Sequence, residues 1–454
     1  MAEASPRAEL PPAAVTHRRV LRIAVPVVLS NATVPLLGVA DTAVVGQLGA
    51  AAPIGAVALG AVVLSSLYWV FGFLRMGTTG LVAQALGRED GAEVSALLVR
   101  ALGIAAAAGL ALIAGQAPLI GGALAASPAS AEVAALAEGY MAIRIWSSPA
   151  AIALYGITGW LIAQERTGAV LLLQVGMNGA NVALSFALGL GLGWGVQGVA
   201  AATFLCEWGG AALGLWLCRD AFAGGHWRDR ARILDGARWR AMMSVNRDIL
   251  IRSVLLQAMF LSFVFWFSAG MGDVALAANQ VLLQFLYVTS YALDGFAFAA
   301  EALVGRFFGR GDRAGLRRAV RLASLWGAGI AMALALLFAL GGGAIVDLMT
   351  TAPEVRARAR DYLPWMAAAP LVGVAAFMLD GVFVGAARAR DMRNMMALSF
   401  AVYVAAVLAL VPAFGNHGLW AALMTSFAAR GITLALRYPA LVRAARSPSN
   451  GSSA

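Results

Sequence analysis

Seven charged side chains interrupt stretches of this chain that are otherwise apolar: Asp41, Arg75, Arg144, Glu207, Asp294, Glu301 and Asp380. A charge held away from water is costly, so each requires a partner, a water-filled cavity or a part in moving ions. Five of the seven are acids, an excess that suits protons and cationic solutes better than anions. The alternative for an individual acid is an internal salt bridge, such as Glu207 with Arg75 or Arg144. Asp41 stands in NATVPLLGVADTAVVG, six residues after Pro35, which removes a backbone hydrogen bond and frees carbonyls toward the helix interior. A partly desolvated carboxyl there is expected to exchange a proton near neutral pH. The competing role is an aspartate that only fixes its helix.

The run QVGMNGANVALSFALG supplies polar neighbours. Asn178, Asn181 and Ser185 are three and four residues apart and share one helix face. Together with Thr203 they are expected to bind an acid from another helix or bridge water to it, although Asn and Ser also glue membrane helices together. Further along, Asp294 and Glu301 are seven apart and form an acidic stripe, with Glu301 also near Arg306 as a structural partner. Asp380 precedes FVGAARARDMRN. Tyr68, Trp69, Tyr155, Phe285 and Tyr287 are candidates to line a pathway and hold cations against their ring faces. Packing in the membrane competes for all five.

The elements that must carry these groups follow from composition. Hydrophobic residues make up 61% of the chain and charged residues 12%, against roughly a quarter charged in soluble domains. Twelve apolar stretches are long enough to cross a bilayer as helices, at about 21–47, 54–86, 95–117, 132–162, 168–190, 196–218, 248–271, 274–305, 319–345, 356–386, 394–412 and 417–438. They fall into two copies of one unit. Gly87-Arg88-Glu89-Asp90 returns as Gly309-Arg310-Gly311-Asp312, Leu67-Tyr68 as Leu286-Tyr287, and Gly198 as Gly418. Tandem units of about 220 residues in so apolar a chain are the mark of a transporter. Six helices per unit is an even number, so both copies enter the membrane from the same side.

All 33 basic residues are arginine. They gather between the sixth and seventh segments and after the eighth and tenth, while the turns near 48–53, 191–195 and 412–416 have none; Arg356, Arg358 and Arg360, flanked by Glu354 and Asp361, are the one exception on that side. That bias places both termini and the 219–247 linker in the cytoplasm. The net charge of +10 therefore follows from topology, and nucleic acid is not an expected partner. Residues 1–20 and 439–454 are expected to be disordered tails. Cys206 and Cys218 share one segment, and His17, His226 and His417 are scattered, so no metal or disulfide framework is expected.

The runs ADTAVVGQLG, FLRMGTTGLVAQALGRED, GVQGVAAAT, YALDGFAFAAEALVG and MLDGVFVGAARARDMRN resemble the DinF-like branch of the multidrug and toxic compound extrusion (MATE) transporters, over about residues 20–440. The resemblance implies two six-helix lobes in a V, a central cavity open to one face at a time, and export driven by an ion gradient. The family's helix-one aspartate, central to proton coupling, matches Asp41. Its helix-five pattern of Asn, three residues, then Asp matches Asn181 and Ser185, so the second acid is absent here. Members that use sodium through an acid in helix seven find no match, because 253–271 holds no Asp or Glu.

The expectation is thus an all-α integral membrane protein, with twelve transmembrane helices in two homologous lobes (21–218 and 248–438) repeated in parallel. It is expected to export small amphipathic organic cations in exchange for protons. Asp41, Asn178, Asn181, Ser185 and Thr203 would couple the ion, and Arg75, Tyr68, Glu207, Asp294, Glu301 and Asp380 would line the cavity. No cofactor is expected beyond the coupling ion, and lipid is the expected surrounding of a monomer in the inner membrane. The alternatives are sodium coupling and a flippase for lipid-linked precursors. An enzyme is not expected.

Overall fold

The computed structural model describes residues 14–33 and 41–445, which fold as helices joined by short turns, with no strand among them. Ten helices are long and apolar enough to cross a membrane. In chain order after the first they are α2 (Ala51–Gly87), α3 (Gly91–Ala114), α4 (Ala131–Ala163), α5 (Thr167–Gly191), α6 (Gly195–Leu217), α7 (Gly236–Met271), α8 (Asp273–Arg310), α9 (Arg313–Met349), α10 (Leu363–Gly385) and the stretch Ala389–Ala444. That last stretch of 56 residues is two helices in one. At 1.5 Å per residue it would run about 84 Å, far beyond a bilayer, and Gly415 breaks it with φ 55° and ψ −130°. The two halves are α11 (389–414) and α12 (416–444). Counting the helical residues His17–Ala32 and 41–46 together as α1, the described residues contain twelve long helical segments.

The ends differ from the sequence reading in three places. Helix α7 begins at Gly236, capped by the Asp235 carboxylate, so the connecting segment is shorter than 219–247. Residues 17–20, expected in a tail, are already helical, because Thr16 caps α1 by accepting from the Arg19 amide at 3.2 Å. Helix α12 likewise runs on to Ala444. Pro35 and residues 1–13 and 446–454 of the two tails lie outside the described residues.

The repeated tetrapeptide is a turn built twice. Glu89 and Gly311 both take left-handed φ (60° and 77°). The amides of Asp90 and Asp312 reach back to Ala85 and Phe307 at 3.0 Å, closing α2 and α8. Each aspartate then caps the next helix, accepting from Glu93 at 3.0 Å and from Gly315 at 2.8 Å. This is a helix stop followed at once by a helix start. Asp90 also grips Arg232 of the connecting segment, at 2.9 Å. Partial burial pushes its carboxyl up, but the Glu93 amide and Arg232 outweigh this and hold it below the usual range. Behind it the fully buried Arg100 bonds Glu93 at 2.8 Å and the carbonyls of Arg232 and Ile233, fastening that segment to the first lobe.

The lobes meet at their arginine-rich ends. A Cβ added at Gly80 would lie 2.1 Å from the Val384 carbonyl oxygen, and one at Gly309 would lie 2.2 Å from that of Gln84. Backbones approach this closely only where the side chain is a hydrogen. Glu165, in the α4–α5 turn, joins Arg19 at 2.5 Å to Arg306 of the second lobe at 2.8 Å. Burial raises the Glu165 carboxyl, yet the two guanidiniums prevail and hold it below the usual glutamate range. At the other end, the outer half of α2 (Ala51–Trp69) packs mainly on α4 of its own lobe. The lobes therefore form a V that is closed at the arginine-rich face.

Candidate functional site

Each lobe holds a cavity, and the two share a wall. The first, about 640 Å³, is lined by Asp41, Tyr68, Arg75, Arg144, Thr203 and Glu207, with Gln174 and aromatic rings. The second, about 420 Å³, is lined by Asp294, Glu301, Asp380, Arg75 and Arg252, with Phe260, Tyr287 and Phe377. Trp69, Arg75, Tyr155 and Phe298 line both. Arg75 is placed there by a short 3-10 turn at Val70–Gly72, which interrupts α2 just before it.

At the wall of the first cavity, which Asp41 and Thr203 line, these two join the buried Asn181 and Ser185 in a chain. The Ser185 hydroxyl donates to Asp41 Oδ1 at 3.1 Å and lies 3.5 Å from Asn181 Oδ1. Asn181 Nδ2 donates to Thr203 Oγ1 at 2.9 Å. Ser185 also opens a π-helical stretch, Ser185–Gly191, that ends α5. Such a turn shifts side chains by one position relative to an α-helix and recurs at functional sites. Because a hydroxyl has one proton, Ser185 serves Asp41 or Asn181 at any instant, not both. Asn178 is placed apart from them: its amide donates to Thr33 Oγ1 at 2.8 Å and ties α5 to the end of the inner part of α1.

The other acid of this cavity is neutralised. Glu207 takes Arg144 at 2.7 Å and the Ser147 hydroxyl. Arg144 also donates to the Tyr140 hydroxyl at 2.9 Å, and the Tyr68 hydroxyl donates to the Arg144 carbonyl at 3.1 Å. Of the two expected partners for Glu207, Arg144 is the one present. Arg75 instead crosses to the second lobe, where it grips Glu301 with two bonds, at 3.0 and 3.3 Å, and stacks 3.9 Å over Phe298. Glu301 is accordingly not the partner of Arg306, which goes to Glu165.

Two arginines that the sequence reading passed over change the charge balance. Arg252 of α7 bonds Asp380, and the buried Arg430 of α12 lies 3.8 Å from the same carboxylate. With them the interior holds four arginines against five acids, so the acidic excess expected from sequence shrinks to one. Arg252 lies near the end of its apolar segment, where it reads as a topology signal. Arg430 lies mid-segment and was as anomalous as the seven residues singled out. Among the described residues no group of His, Cys, Asp and Glu is placed to hold a metal.

Known proteins share this architecture. The MatE family model matches residues 26–187 and 249–411, once in each lobe. The DNA damage-inducible protein F of Escherichia coli is 37% identical over 91% of this chain and 90% of its own length. A probable multidrug resistance protein NorM of Bradyrhizobium diazoefficiens is 29% identical over 93% of each chain. Among solved structures, the Vibrio cholerae MATE transporter VcmN in its bent form superposes with a TM-score of 0.82 at 20% identity, over 94% of this chain and 97% of that one. An outward-facing multidrug resistance MATE transporter superposes at 0.78 and 17% identity, over 94% and 97%.

Proposed function

The chain belongs to the MatE family, and from its two cavities we propose that it is a secondary active exporter of small amphipathic organic cations, driven by exchange for protons. The observation that carries the reading is Asp41. It faces a cavity large enough for an organic molecule, its described partner is a single hydroxyl, and no arginine pairs with it among the described residues. A carboxyl in that setting can take up and release a proton as the cavity changes the side it faces. The names of the relatives, several of them multidrug resistance proteins, support small organic substrates. The arginine-rich ends of the lobes belong in the cytoplasm by the positive-inside rule. The V closed at that face is then the outward-open state of an alternating-access cycle in the inner membrane. The protein works without a cofactor and as a monomer.

Sodium coupling is disfavoured by the second lobe. Asp380 is already held by two arginines, and 253–271 supplies no acid to share a metal ion. A flippase for anionic lipid headgroups would need free cationic groups. Arg75, Arg144 and Arg252 on the cavity walls are each bonded to a carboxylate. The test is uptake of a fluorescent organic cation into inverted vesicles under an imposed proton or sodium gradient. Wild type should respond to the proton gradient, and folded Asp41→Asn should not, because the amide keeps the shape and loses the titratable proton. Undiminished proton-driven uptake by the variant would end the role of Asp41, and a response to sodium alone would replace the coupling ion.

A further inference from the structure

The α4–α5 turn of the first lobe and the α10–α11 turn of the second are one turn built twice, with an acid at its centre in only one copy. Glu165 and Ala387 occupy the same place in it, both with left-handed φ (61° and 50°). The amides that follow them, of Arg166 and Arg388, reach back to Leu161 and Phe383, each at 2.9 Å. In the first lobe Glu165 gathers Arg19 and Arg306. In the second an alanine methyl stands there, and the arginines around it have no such carboxylate.

A cavity of about 490 Å³ opens beside this second turn, lined by Asp248, Arg388, Arg390, Asp391, Asn394 and Arg437. Both of its acids are already engaged. Asp391 is held by Arg388 at 2.7 Å, and the buried Asp248 by Arg393 at 2.7 Å and Arg247 at 3.2 Å. The guanidiniums of Arg390 and Arg437 have neither a hydrogen bond nor an ion pair among the described residues. Two uncompensated cations thus line a polar cavity, and the neighbouring protein offers them no anion.

The depth of the cavity indicates what can supply one. Asp248, Asn394 and Arg437 stand at the ends, on the arginine-rich side, of the apolar stretches 248–271, 394–412 and 417–438. The hydrocarbon of the bilayer stops there and the headgroup layer begins. About one turn deeper, Ile251 of α7 and Leu398 of α11 are exposed, as is Leu436 beside Arg437, so surface suited to acyl chains adjoins the cavity. A guanidinium offers a phosphate two parallel N–H donors, and basic pockets between helices at this level suit anionic headgroups.

We propose that this cavity binds a phosphate group, carried by an anionic lipid or free in solution, through Arg390 and Arg437. The site is separate from both transport cavities. A phosphate held there takes the part in the second lobe that Glu165 takes in the first, as an anion beside a turn that the other lobe grips. Arg306 reaches the first turn from the second lobe, and Gln84 reaches the second from the first, donating to the Gly385 carbonyl at 3.1 Å.

The experiment is native mass spectrometry of the full-length protein, delipidated in detergent and titrated with dioleoyl phosphatidylglycerol or dioleoyl phosphatidylcholine. Wild type should bind the anionic lipid about tenfold more tightly than the zwitterionic one. Arg390→Gln combined with Arg437→Gln should weaken phosphatidylglycerol binding by about tenfold or more, each arginine near the surface being worth about fivefold. Arg390→Lys with Arg437→Lys, which keeps the charge, should retain most of the binding and shows that the fold tolerates substitution there. Arg18→Gln with Arg230→Gln removes the same charge from exposed positions outside the cavity and should stay within about threefold of wild type. Excess inorganic phosphate separates the two sources: a lipid adduct that survives it assigns the site to a headgroup, and displacement of the adduct assigns it to a soluble phosphate. Equal affinity for the two lipids overturns the proposal. So does undiminished phosphatidylglycerol binding by the folded glutamine variant, or an equal loss in the Arg18 and Arg230 pair.

Discussion

Single residues decide what the cavities can do, and the pair Arg252–Asp380 illustrates the cost of getting one wrong. Both side chains are about nine-tenths buried, so removing Arg252 leaves Asp380 with only the more distant Arg430, at 3.8 Å. Arg252→Met should lower stability by about 3 kcal/mol, the low end for a broken buried pair. Adding Asp380→Leu should lower stability further, because the buried Arg430 then loses its carboxylate, but by less than Asp380→Leu alone, since Arg252 is no longer there to be stranded. Thermal unfolding of the single and double variants in detergent measures both. An additive double variant would mean that the two side chains do not stabilise one another. The sequence made part of this chemistry legible. Spacing put Asn181 and Ser185 on one face, and the structure sets that face against Asp41 and Thr203. It did not reveal that Arg75 pairs across the lobes with Glu301, because helical spacing says nothing about which helix of another lobe lies opposite. The nearest arginine in sequence, Arg306, is five residues on and so points well around the helix from Glu301.

Helices begin and end in this chain by the same device in both repeats, and the device has a weak copy and a strong one. Glu89 occupies a left-handed position that Gly311 fills in the second unit. A side chain there is strained, and the Glu89 side chain earns little in return, being largely exposed and 3.9 Å from Arg310. Glu89→Gly should therefore be neutral or stabilising by up to about 1 kcal/mol, strain relief being offset by the entropy of glycine. Gly311→Val should destabilise by about 1–2 kcal/mol, because a β-branched residue resists positive φ. Melting temperatures of the two variants check this, and a stabilised Gly311→Val would refute the account of the turn. The turn motif was visible as a repeat in sequence, but its role was not. Only the bonds that the Asp90 and Asp312 amides donate and their carboxylates accept show that it closes one helix and caps the next. Apolar length located the twelve spans, whereas their ends shifted where caps lay outside the apolar run. The Asp235 cap that starts α7 before its apolar stretch is the clearest case.

At the scale of the molecule, the closed face is held by charge and by close backbone contact, and each makes a prediction. Glu165 is depressed by Arg19 and Arg306. Its contribution to stability is thus fully present above the ordinary glutamate value of about 4.3 and is lost as pH falls through the lower folded value. Between about pH 5 and pH 3 the wild type should lose more thermal stability than Glu165→Gln, which starts lower and varies less. Parallel slopes would mean that the carboxyl does not hold the lobes. The backbone contact tests the proposed alternating-access cycle. A Cβ at Gly80 would meet the carbonyl oxygen of Val384 at 2.1 Å and its carbon at 3.2 Å. Neither is the end of a flexible side chain, so Gly80→Ala requires α2 and α10 to part by roughly 1 Å to regain ordinary contact. On that proposal, separation at this face penalises the arrangement closed there and leaves the opposite one untouched, which shifts the population toward it. Spin labels at cysteines replacing Arg88 and Arg390, one exposed at the arginine-rich end of each lobe, should then report a longer distance in Gly80→Ala. The native Cys206 and Cys218 are buried and leave labelling confined to the introduced sites. Gly103→Ala, where nothing lies within 4 Å of the new atom, should leave the distance as in wild type. Transport by Gly80→Ala should fall, since one half of the cycle has become harder to reach. An unchanged label distance with normal transport would show that the glycine contact does not set the balance between the two states.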